Sequence, residues 1–117
     1  MTESDAEAAP VIPPPSVRTS NATQALRAVV ALARQYGYDP GHAYRVARLA
    51  AQLFEALYPL HAMDDETRFW LLCAAILHDM AKDLDQAHHT AALRIVLTTP
   101  ALPFGLRARR FIGLIAR

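Results

Sequence analysis

Cys73 is the only thiol in a chain of 117 residues, which excludes an internal disulfide and a cluster of thiolate metal ligands. Charge of one sign is equally scarce. Twelve Lys and Arg against eleven Asp and Glu leave a formal +1, too weak an overall field to argue for nucleic acid or an anionic membrane as partner. Long apolar runs are missing too: the longest, Phe69 to Leu77, is about half of the roughly 20 residues that a membrane span needs. It reads as a buried helix of a globular protein. No opening stretch joins basic residues to a long apolar segment, so a reducing cytoplasm is the expected location. What is present, 53% hydrophobic residues in a chain of this length, suffices for one compact domain and excludes two independent ones.

From Met1 to about Thr19 the chain carries Glu3, Asp5 and Glu7, then Pro10, Pro13, Pro14 and Pro15. That composition has neither helical periodicity nor enough apolar surface to order itself, so residues 1–19 are expected to form a flexible Pro-rich tail and 20–117 the domain. The remainder is rich in Ala, Leu and Arg and poor in β-branched runs, which predicts an all-α bundle of about five helices. The first helix is expected over 22–35, capped by Ser20 or Asn21 and stopped at Gly37, with Leu26, Val29, Val30 and Ala33 facing the core. A second begins at Asp39-Pro40 and ends before Pro59, with a stripe of Val46, Leu49, Leu53 and Leu57. The third starts near Asp64 to Glu66 and is apolar all round through Leu77, as a central helix would be. The fourth covers about 87–97 and stops at Thr98, Thr99 and Pro100, while a fifth starts near Gly105. Phe111, Ile112, Leu114 and Ile115 keep an apolar pattern up to Arg117 with no closing signal. A domain truncated at its C-terminus is therefore expected, with an apolar surface through which two copies could pair as a homodimer.

The polar residues that break this pattern are His42, His78-Asp79, Lys82 and His88-His89. Folding helices two and three as an antiparallel hairpin about the Pro59 to Met63 turn puts His42 about 30 Å and His78 about 25 Å from that turn, at ~1.5 Å per residue. They share one end of the bundle. His42 sits four residues before Val46 and His89 four before Leu93, so both are expected to point inward; the short loop Lys82 to Gln86 returns helix four to the same place. Imidazole nitrogens and a carboxylate around one point suit a divalent metal such as Mn, Fe, Zn, Ni or Co. Such an ion polarises a phosphoryl oxygen and lowers the pKa of a bound water. Lys82 would be a point charge for a substrate phosphate, and Arg45 is the better placed of Arg45 and Arg48 for the same task. The bland alternative is that the histidines cap helix ends and Asp79 bonds backbone amides. Burial explains Trp70 and Cys73 without function, His61 falls in the turn at the far end, and Arg107, Arg109, Arg110 and Arg117 read as a solvated face.

The stretches Gly41-His42-Ala43-Tyr44-Arg45-Val46-Ala47-Arg48-Leu49-Ala50 and Ala74-Ala75-Ile76-Leu77-His78-Asp79-Met80-Ala81-Lys82 resemble the HD superfamily of metal-dependent phosphohydrolases, all-helical proteins named for adjacent His and Asp ligands. With His88-His89 and the ending Ile112-Gly113-Leu114-Ile115-Ala116-Arg117, the chain from Tyr38 is similar to the HD-type helical domain found C-terminally in the exopolyphosphatase and guanosine-pentaphosphate phosphatase family. The resemblance implies that His42, His78 and Asp79 take three metal-ligand positions; in a hydrolase Asp79 is also expected to orient the attacking water. His88 or His89 matches a further His of some members, and Lys82 the Lys that often follows the HD pair. It also implies a small phosphorylated ligand, a nucleotide or polyphosphate. Two departures stand out: Ala81 replaces a frequent Gly, and the late Asp or Tyr-His pair that relatives supply after the equivalent of Arg117 is not in the sequence. A hydrolase is thus the leading expectation, with a non-catalytic ligand-binding HD module or a truncated remnant as alternatives.

Overall fold

Two aspartates start the helices that position the site. The computed structural model describes residues 19–80 and 88–117, with side chains over 21–80 and 90–117. Within these, six helices and no strand are present: α1 (Thr19–Gln35), α2 (Pro40–Ala56), α3 (Tyr58–His61), α4 (Asp65–Leu77), α5 (His88–Thr98) and α6 (Leu106–Ala116). The expected all-α architecture is observed; the Pro-rich tail and the Lys82 to Gln86 loop lie outside the described residues. Asp39 caps α2 by accepting the His42 backbone N–H at 3.1 Å, ahead of Pro40 in the first turn. Asp64 caps α4 by accepting from the Thr67 N–H at 2.9 Å and the Thr67 hydroxyl at 2.7 Å. Gly37, at φ 71°, ends α1 in the left-handed conformation that favours glycine. At its other end α1 starts earlier than expected, so Ser20 and Asn21 lie inside the helix instead of capping it. Buried Ala22 and Ala25 already need helical geometry there to reach the core.

Helix α4 runs through the middle, packed against α1, α2 and α6, with α5 laid on α6. Its Phe69, Leu72, Cys73, Ala74, Ala75 and Leu77 are all buried, as an all-round apolar sequence requires. Helix α2 corrects the expected stripe. Leu49 and Leu53 are 59% and 60% exposed and Leu57 is exposed too, Val46 is half-buried, and the buried set is Ala43, Ala47 and Phe54. Both sets recur with helical period, so periodicity does not choose between them. Close approach to Leu72 and Ala75 of α4 does, because small side chains let the two backbones come together.

The α2–α4 connection contains α3, which the sequence did not announce, and His61 clasps it. Its Nδ1 accepts from the Met63 N–H at 2.8 Å, so Nε2 carries the proton and donates to the Phe54 carbonyl at 2.9 Å. Arg109 is a second correction. It is not part of a solvated face: Nε donates to the Phe104 carbonyl, Nη1 to those of Val96 and Thr99, and Nη2 to that of Leu102, at 2.6–2.9 Å. One guanidinium thereby satisfies the C-terminal end of α5 and the loop to α6, a task that needs its planar fork of donors. Nearby, Gly113 lets α5 and α6 touch, since a Cβ there would come within 2.7 Å of a Leu93 methyl and 3.4 Å of its Cα.

Arg109→Met should therefore cost about 2–4 kcal/mol in urea denaturation by stranding these carbonyls, with Arg109→Lys recovering only a minor part. The Asp64 carboxyl is held below its ordinary 3.8, first by the Thr67 hydroxyl and then by the Thr67 amide. A lowered folded pKa stabilises above the unfolded value and is lost as pH falls through the folded one. Asp64→Ala should accordingly lower Tm at pH 7, and its deficit against wild type should shrink below about pH 3.8.

Candidate metal centre

The N-terminal turn of α2 and the C-terminal end of α4 lie side by side and supply the site. His42 stands in the first turn of α2, its backbone fixed by Asp39. His78 follows the last residue of α4 and keeps right-handed helical angles, φ −62° and ψ −28°. Its Nδ1 lies 2.7 Å from the Ala75 carbonyl. A carbonyl only accepts, so Nδ1 bears the proton and Nε2 presents a lone pair. Asp79 is in the turn that follows, which the Met80 N–H closes on the Leu77 carbonyl at 3.1 Å while the Met80 side chain is buried at 2% exposure. Asp79 Oδ2 lies 3.3 Å from His42 Nε2 and 3.4 Å from His78 Nε2. The two imidazole centroids are 5.2 Å apart, and the three donor atoms fall within 4.8 Å of one another. All three side chains are 30–40% exposed, open to solutes at one end of the bundle.

The two helix ends add fields of opposite sign here. The C-terminus of α4 carries the negative end of its dipole and α2 presents its positive end. Asp39 sits on that positive end, its carboxyl held below the usual range chiefly by the His42 backbone amide, with a further amide from Gly41 and the charges of Arg45 and His42 acting against desolvation. Two imidazole nitrogens and one carboxylate oxygen match a borderline divalent cation such as Zn, Mn, Fe, Co or Ni, and three protein donors leave positions for water and substrate.

Of the residues expected to meet, His42, His78 and Asp79 do so. His42, however, does not point inward. It stands 40% exposed at the edge of the buried face, because α2 packs through Ala43 and Ala47. Arg45 is exposed one turn further on, with Nη1 beside Gly41. Lys82 and the side chains of His88 and His89 lie outside the described residues, although the backbone of both histidines opens α5. His61 is engaged in the far turn, as expected. The Ala75 carbonyl is the participant that sequence reasoning missed; the three-residue step back from His78 along the helix was the available signal.

A model of the HD domain matches residues 41–111, well over half of the chain, and spans His42, His78 and Asp79. The chain belongs to the HD domain family. Neither curated proteins nor solved structures gave a significant match. Among the described residues of this HD domain, no helix is long and apolar enough to cross a membrane.

Calorimetric titration of chelator-treated protein with Mn or Co should show about one equivalent bound, and His78→Ala, Asp79→Ala should abolish the uptake while leaving helical circular dichroism intact. Equal uptake by the double variant would remove these residues from the site.

Proposed function

We propose that this HD domain is a cytoplasmic metal-dependent phosphohydrolase acting on a small phosphorylated compound, a nucleotide or a polyphosphate. The observation that carries the proposal is the convergence of His42, His78 and Asp79 at an open end of the bundle. A divalent ion held there (Mn, Fe, Ni, Co or Zn) supplies Lewis acidity, polarising a phosphoryl oxygen and lowering the pKa of water. The chain's own groups do the rest. His42 and His78 offer Nε2, and the Ala75 carbonyl keeps the proton of His78 on Nδ1. Asp79 Oδ2 faces both imidazoles; its Oδ1, engaged by no donor among the described residues, orients the attacking water. Lys82, three residues on, provides a compact positive charge for the substrate phosphate, Arg45 provides a second, and His88 or His89 a further ligand. Kinship to the C-terminal domain of the exopolyphosphatase and guanosine-pentaphosphate phosphatase family is supported by His88-His89 and the Ile112 to Arg117 stretch.

With Mn, Fe, Ni or Co loaded, the protein should hydrolyse a phosphomonoester, phosphodiester or nucleotide, and Asp79→Ala should lower kcat/KM by roughly 100-fold or more. Turnover no higher than in His78→Ala, Asp79→Ala would refute hydrolysis; saturable nucleotide binding without turnover would instead identify a ligand-binding HD module.

A further inference from the structure

Beyond the metal centre, the outer side of α2 continues the same chemistry. His42, Arg45, Arg48 and Gln52 recur at three- and four-residue steps, so each stands about one turn beyond the last. Arg45, Arg48, Leu49 and Gln52 are all exposed, and together they line a shallow cavity of about 230 Å³. Among the described residues, neither arginine is paired with a carboxylate. The carboxylates in close contact with basic side chains, among the same residues, are Asp79, beside the imidazoles of His42 and His78, and Glu55, beside Arg68. Arg45 lies near enough to Asp39 to lower its pKa without pairing with it. Two guanidiniums and a carboxamide around one hollow, in an almost neutral protein, present a local cationic and donor-rich surface. Planar guanidinium forks bind phosphate oxygens in pairs, which a lone ammonium does not.

We propose that this cavity is a subsite for the distal phosphates of the substrate, so that the protein prefers a compound with a run of phosphates, such as a nucleoside triphosphate or inorganic polyphosphate, over one with a single phosphate. His42 and Arg48 are six residues apart, about 9 Å along the helix. One phosphate group cannot bridge that span, whereas a chain of phosphates can, with one end at the metal centre and the other between Arg45 and Arg48. Gln52 adds amide donors to the lining and Leu49 an apolar side chain. Which phosphate is cleaved rests on the phosphohydrolase reading; binding at the arginines does not.

The test is calorimetric titration of metal-free protein, at fixed ionic strength, with inorganic tripolyphosphate and with orthophosphate. Wild type should bind tripolyphosphate at least tenfold more tightly. Arg48→Ala should reduce that preference severalfold, Arg45→Ala, Arg48→Ala should abolish it, and Arg48→Lys should restore part. Arg110→Ala, which removes the same charge from exposed α6 surface, should leave the preference intact. Equal wild-type affinity for the two anions overturns the proposal, as does an equal loss in Arg110→Ala, which would mean non-specific charge attraction. Hydrolysis without the preference sinks the subsite alone; the preference without hydrolysis, in metal-loaded protein, sinks the phosphohydrolase reading alone.

Discussion

The constraint on which the structure depends is the burial of α4 on three sides. Leu72, Cys73, Ala74 and Leu77 are at most 1% exposed, so no polar side chain is tolerated through the last two turns. Burial pushes the Cys73 thiol up to about 12, which keeps it protonated and unfit as ligand or nucleophile. A helix so enclosed must still satisfy the carbonyls of its last turn. His78 meets this need by donating Nδ1–H to the Ala75 carbonyl, and the same bond leaves Nε2 as the free donor atom beside Asp79. The end of the core and the start of the site are one hydrogen bond, which fixes the ring before any ligand arrives.

Helix α2 meets that constraint from the other side. Ala47, not the leucines, packs on Leu72 and Ala75 of α4, with Ala43 buried one turn before it, and the short side chains bring the helices close enough for His42 to reach Asp79 from the edge of the buried face. Leu49 and Leu53 are turned outward as a consequence, and the arginine-lined hollow lies beside them. A leucine-faced α2 would carry a larger buried area, but it would rotate His42 away from the edge where solvent and Asp79 meet.

Elements with local causes were legible in the sequence. Asp39-Pro40, Asp64 and Gly37 act within one turn of themselves, and each begins or ends a helix where expected. The His42, His78 and Asp79 convergence was legible as well, since hairpin geometry and the HD motif pointed to the same end of the bundle. What escaped depends on groups distant in sequence. Arg109 looks like any solvated arginine until Val96 and Thr99 are brought under it. The buried face of α2 is decided by the shape of α4, and the α3 clasp by where the Phe54 carbonyl ends up relative to His61.

The antiparallel arrangement of α2 and α4 carries a last consequence. A helix N-terminus favours an anion and a helix C-terminus a cation; an antiparallel pair offers one of each at both ends, and what distinguishes this end is that His42, His78 and Asp79 meet there. Yet Asp39 already occupies the amides of the first turn of α2 and places a carboxylate on the axis. A phosphate arriving along that axis meets repulsion; one arriving from the flank meets Arg45 and then Arg48. The cap that starts the helix thus also biases an arriving anion toward the outer side of α2.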